Sequence, residues 1–212
     1  MESARRGLQR RHLRKRSAHA DHRLESAGLL TGRLLDGRGE IARYFGKYGA
    51  NGARKAVIIG GIPPFLVKTA DNPEGVEGSV FDGLKTAVAK DRYAFFTQFF
   101  KNFYNTDLLL GQRVSEEVVR GSWNLAAGAS ATASLACVST WIEDFRQDLT
   151  RVDVPTLVIH GDADRIVPIA ASGARTAKLI KGARLVTITG GPHCITWTHA
   201  DEVTTELLTF LR

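Results

Sequence analysis

Val154-Pro-Thr-Leu-Val-Ile-His-Gly-Asp-Ala-Asp-Arg-Ile-Val-Pro168 is the stretch that decides the fold class of this chain. Its first part, Thr156 to His160, is a short apolar run that breaks at once into a Gly/Asp turn. Runs of this length and texture belong to strands buried on both faces, as in parallel sheets. A second run of the same kind lies upstream, Lys55-Ala-Val-Ile-Ile-Gly60, bounded by a glycine. Downstream, the pattern predicts a helix over about 169–181 and a strand at Arg184-Leu-Val-Thr-Ile-Thr189. A turn at Gly190-Gly-Pro-His-Cys194 and a last helix from about Ala200 to Leu211 follow. Strand, helix, strand, helix in this order predicts a parallel α/β sheet with helices on its faces. Upstream of the first run, Gly39-Glu-Ile-Ala-Arg-Tyr-Phe-Gly-Lys-Tyr-Gly49 reads as a short helix closed by glycine. Between the two apolar runs, residues 65 to about 147 are mostly helical in pattern. That block is too long for a simple crossover, so it is expected to be an inserted cap.

The chain divides near residue 38. Residues 1–38 contain ten Lys/Arg against four Asp/Glu, a net charge of +6, and no aromatic residue, Val or Ile. Residues 39–212 hold nineteen against eighteen and are almost neutral. The first segment therefore reads as a basic arm with no strand or helix pattern. Clustered Arg/Lys can neutralise phosphates, but the arm has no aromatic to stack on bases, which argues against nucleic acid as a partner. The 43% hydrophobic and 24% charged composition is that of a soluble globular protein. No run approaches the ~18 apolar residues of a membrane span, and no apolar segment follows the N-terminal charges as in a secretory signal. Cys137 and Cys194 match no metal-ligand or disulfide framework. These features predict a cytoplasmic protein with no metal site, no cofactor and no membrane partner.

In open α/β sheets the chemistry gathers at the carboxyl ends of the strands. Asp162 and Asp164 follow the strand ending at His160, and His193 follows the strand ending at Thr189. An acid loop one helix and one strand ahead of a histidine loop is the chain order in which α/β-hydrolases present these two triad members. The histidine would shuttle a nucleophile's proton while the carboxylate fixes its tautomer. Of the two aspartates, Asp162 is the better turn-former and Asp164 the better triad acid.

On these residues the chain resembles the cofactor-free (non-haem) chloroperoxidases and haloperoxidases of the α/β-hydrolase superfamily. The acid motif 154–168 and Gly191-Pro-His193 carry the resemblance, together with Pro64–Gly75, Asp91–Phe96, Phe103-Tyr-Asn105, Ser122-Trp-Asn124 and Trp141–Arg146. It covers about residues 39–212. It implies an α/β-hydrolase fold with a helical cap over about 65–147, here lacking its N-terminal strands. It implies Asp164 as triad acid and His193 as triad base. It also implies serine esterase and perhydrolase chemistry on small esters, carboxylic acids and peroxide.

One part of the family pattern is broken. The nucleophile elbow, Gly-x-Ser-x-Gly, belongs immediately before Gly39, where this chain has Arg33-Leu-Leu-Asp-Gly37. Leu35 occupies the expected serine position and has no nucleophilic chemistry. The same stretch of coding sequence, read one base out of frame, can encode Gly-Phe-Ser-Met-Gly, so residues 1–38 are expected to be either a disordered arm or an out-of-frame one. Ser26 and Ser130 lie in Ser/Gly-containing near misses, one in the arm and one in the cap, and neither is expected to serve. Cys194 is read as a bystander thiol, Trp123, Trp141 and Trp197 as core or acyl-pocket lining, and Arg165 and Lys68 as solvated charge. The chain is thus expected to be a hydrolase inactive as written. The alternative is a non-catalytic α/β-hydrolase-like fragment or binding protein with a basic arm.

Overall fold

The structure is a computed structural model that describes residues 30–31, 38–50 and 52–212. Among the described residues its centre is a parallel sheet of four strands in the order β1 (Leu30–Thr31), β2 (Ala56–Ile59), β3 (Thr156–Gly161) and β4 (Arg184–Ile188). β2 and β3 are apolar on both sides because helices cover both faces. Ala56, Ile58 and Val158 point into a core shared with Ile41, Ala42 and Phe45 of helix α1 (Arg38–Tyr48), Leu149 and Ile180. Val57, Leu157 and Ile159 point the other way, against Ile188, Ile195 and Val203. The alternation of faces along each strand is the two-residue period of extended backbone.

Five helices separate β2 from β3: α2 (Gly78–Tyr104), α3 (Thr106–Leu109), α4 (Glu116–Ala127), α5 (Ala131–Thr140) and α6 (Arg146–Leu149). Asp91 breaks α2 with extended backbone, and its Oδ1 accepts the N–H groups of Tyr93 and Ala94, capping the second half. Aromatic residues build the core of this block, with Phe96, Phe100, Phe103 and Tyr104 buried together. After β3 come α7 (Gly173–Leu179), β4, α8 (Ile195–Thr198) and α9 (Ala200–Leu211). Among the described residues no helix is long and apolar enough to cross a membrane.

Two sequence expectations need correction. The stretch 1–38, read as free of strand pattern, contributes β1, which pairs Leu30 with Ala56 and Thr31 with Val57. Edge pairing uses backbone groups alone, and two residues are too short to display a period. The single helix expected over 169–181 is a 3-10 turn (Ile169–Ala171) followed by α7, broken at Ser172. The break lets Gly173 sit against the buried ring of His160, where a Cβ would lie 2.5 Å from Nδ1. A continuous helix has no reason in its own sequence to leave that space.

Candidate active site

The acid and histidine loops leave the C-terminal ends of adjacent strands and are laced to each other before any side chain is considered. Asp162 N–H donates to Ile188 O (3.2 Å) and Ala163 N–H to Gly191 O (3.1 Å). Asp162, the expected turn-former, accepts Gly190 N–H on Oδ1 at 2.7 Å and so spends its carboxylate on the loop. Gly161 permits the approach. A Cβ there would lie 2.5 Å from the carbonyl carbon of Gly191 and 2.9 Å from Pro192 O.

That framework brings Asp164 and His193 together, both buried. His193 Nδ1 donates to Asp164 Oδ2 at 2.6 Å. Asp164 Oδ1 accepts the N–H groups of Ile166 (2.9 Å) and Val167 (2.8 Å). The fourth neighbour is His160, whose Nε2 lies 3.2 Å from Oδ2 and 2.9 Å from Val167 O. Both atoms facing His160 Nε2 are acceptors, so Nε2 carries the hydrogen. An ionised carboxylate has about four acceptor positions, and here four donors surround it. Burial pushes the Asp164 carboxyl up, but hydrogen bonds from His160 and His193 outweigh it and hold the group well below the usual carboxylate range. Because Asp164 stays ionised and accepts from Nδ1, the neutral His193 ring keeps its basic lone pair on Nε2, the tautomer a general base needs.

Two further elements frame the imidazole. The ring of Phe103 meets it edge-on, with centroids 5.0 Å apart. Gly60, at the end of β2 with φ +56°, lies beside it, and a Cβ there would come 3.8 Å from Cε1.

The remaining sequence candidates fall elsewhere. Leu35 and Ser26 lie outside the described residues. Ser130 is the N-cap of α5, its Oγ accepting Ala133 N–H. Cys194 is buried against the aromatic cluster of the helical block. The three tryptophans do not share a pocket: Trp123 packs in that cluster, Trp141 packs against the sheet core, and Trp197 is exposed. Arg165, read as a solvated charge, makes a two-pronged pair with Asp107 (2.7 and 3.1 Å), and Lys68 pairs with Glu77. His160 is the site residue that sequence reasoning passed over, although a histidine ending an otherwise apolar buried run was a visible signal.

A parallel α/β sheet with an acid and a histidine on neighbouring strand ends, beneath a helical insertion, defines an α/β hydrolase. Comparison with known proteins narrows this. The α/β hydrolase fold family matches residues 39–200. A putative non-heme chloroperoxidase of Synechocystis sp. is 57% identical over 176 residues, covering 83% of this chain and 64% of the relative. A bifunctional esterase/perhydrolase of Acinetobacter calcoaceticus is 34% identical, with the same two coverages. The crystal structure of a bromoperoxidase from Bacillus anthracis superposes with a TM-score of 0.82 at 39% identity, covering 89% of this chain and 70% of that one. The chain belongs to the α/β hydrolase fold family, is similar to non-haem chloroperoxidases within it, and spans 64% of the length of the Synechocystis and Acinetobacter relatives.

Proposed function

We propose that Asp164 and His193 are the acid and base of a serine-type ester hydrolase that also performs perhydrolysis. The observation that carries this reading is the 2.6 Å bond from His193 Nδ1 to a carboxylate whose acceptor positions are filled. In the proposed reaction His193 Nε2 takes the proton of a serine hydroxyl as its oxygen bonds to the ester carbonyl carbon. The same proton then goes to the departing alcohol, leaving an acyl-serine. Water, deprotonated in turn by Nε2, releases the carboxylic acid. Hydrogen peroxide in its place releases a peracid, which can oxidise halide to hypohalous acid while being reduced to the carboxylic acid. Asp164 steadies the imidazolium throughout and stays ionised, because, against burial, the hydrogen bonds from His160 and His193 hold its carboxyl well below the usual carboxylate range. The Acinetobacter relative, named an esterase/perhydrolase, supports both branches.

The same reading assigns no nucleophile to this chain as written, because Leu35 stands where the elbow serine belongs. The chain is therefore a base and acid awaiting a hydroxyl. The test is turnover of a short-chain nitrophenyl ester by this chain, by its His193→Ala variant, and by a chain whose frame is restored to Gly-Phe-Ser-Met-Gly over 33–37 while residues 39–212 are kept unchanged. We expect the first two to be equal and the third to turn over, losing activity on His193→Ala. A folded frame-restored chain without turnover would refute the hydrolase reading.

A further inference from the structure

We propose that Asn105 is a positioning residue through which the helical block sets the geometry of the Asp164–His193 pair. This rests on the reading of that pair as acid and base. Residues 103–107 form the corner between α2 and α3, and the corner grips the neighbours of both site residues. Asn105 Nδ2 donates to Ala163 O at 2.9 Å, one residue before Asp164. Asp107 takes both prongs of Arg165, one residue after it. Phe103 O accepts Cys194 N–H at 3.2 Å, one residue after His193, while the Phe103 ring packs on the imidazole. The strands hold the two loops from the sheet side. This corner holds them from the other.

Asn105 is the hub of the corner. Its backbone is left-handed (φ 49°, ψ 55°), a conformation that asparagine tolerates better than most residues and glycine adopts freely. Its O atom accepts the N–H groups of Leu108 and Leu109, starting α3. The side chain is fully buried, and Oδ1 has no hydrogen-bond partner among the described residues. A buried acceptor left unpaired is costly, and glycine would give the same turn without it. The side chain is therefore kept for its donor, and that donor is spent on the acid loop. The amide cannot be flipped, since Oδ1 would then face Ala163 O.

The test uses the whole chain and reads the His193 Nδ1 proton by NMR, assigned by its absence from His193→Ala. In the unsubstituted protein this proton is expected far downfield and slow to exchange, as in a hydrogen bond to a buried carboxylate. Asn105→Gly preserves the left-handed turn and removes the side chain with its amide donor. In this variant the resonance should move upfield and its exchange should quicken about five- to tenfold, the effect of losing one hydrogen bond's net contribution. Asn105→Asp, which sets a carboxylate oxygen against Ala163 O, should abolish the resonance. Should Asp at 105 prevent folding, the glycine variant decides alone. An Asn105→Gly protein with unchanged shift and exchange would overturn the positioning role. Absence of the downfield proton from the unsubstituted protein would instead overturn the acid–base reading, and this proposal with it.

Discussion

Replacing Gly161 by alanine tests the claim that the site depends on two backbones lying in contact. The glycine ends β3, and no left-handed angle is required of it, so backbone strain plays no part in the outcome. A Cβ at this position meets main chain only, 2.5 Å from the Gly191 carbonyl carbon and 2.9 Å from Pro192 O. Ordinary carbon contacts lie about 3.5–4.0 Å apart, so the histidine loop must retreat by about 1 Å. His193 lies two residues beyond Gly191, and a retreat of that size takes its 2.6 Å bond to Asp164 out of hydrogen-bond range. Overpacking costs about 1–3 kcal/mol, and a charge-assisted buried hydrogen bond contributes about 1.5–3 kcal/mol. Together the loss should be about 3–5 kcal/mol, or roughly 10 °C in Tm for a chain of this size. Urea unfolding should show a midpoint lower by about 2 M with unchanged slope. Gly83→Ala is the control: it lies inside α2 with nothing within 4 Å of the added methyl, and it should stabilise by about 0.5–1 kcal/mol. A Gly161→Ala midpoint within about 0.3 M of the unsubstituted protein would show that the loops are not held by this approach.

Acidification should weaken the fold in two stages. Burial first, then Arg113, lowers the pKa of His199 below 6.5, and Asp164 is held well below the usual carboxylate range. Both groups bind fewer protons folded than unfolded. Each therefore contributes stability above its unfolded value that is lost as pH falls toward its folded value. Urea midpoints should begin to fall below about pH 6.5 and fall again below about pH 4. His199→Gln should remove the upper stage, and a flat profile between pH 7 and 5 would contradict its assignment. Tyr104 Oη and Ser122 Oγ share a 2.7 Å hydrogen bond in the helical block, and burial pushes the phenol up to about 12. Ultraviolet titration should show one tyrosine ionising near that value, missing in Tyr104→Phe. The same variant should lose about 1 kcal/mol in urea unfolding.

Much of the architecture was legible in local pattern. The runs at Ala56–Ile59 and Thr156–His160 announced strands buried on both faces, because only two-sided burial makes successive positions apolar, as at Leu157-Val-Ile159. Asp164 and His193 could be picked out because chain order along a parallel sheet places successive loops side by side at one end. Even the division of labour between Asp162 and Asp164 was readable, since an aspartate next to the glycine of a tight turn has backbone donors within reach.

Tertiary structure alone decided what surrounds those two residues. His160 looked like the end of a strand. It became a donor to Asp164 because β3 turns its side chain toward the space that Gly173 leaves open. Arg165 looked like a solvated charge, and Asn105 stood only as one residue of the Phe103-Tyr-Asn105 motif. Both tie the acid loop to the helical block across nearly sixty residues of sequence, a distance at which no periodicity carries information. Gly161 read as the break after an apolar run, yet its reason is the carbonyl of Gly191 on the neighbouring loop. Local sequence determines which groups a strand end carries, because propensity and burial act over a few residues. How those groups are held depends on contacts between loops, and these exist only once the sheet has brought them together.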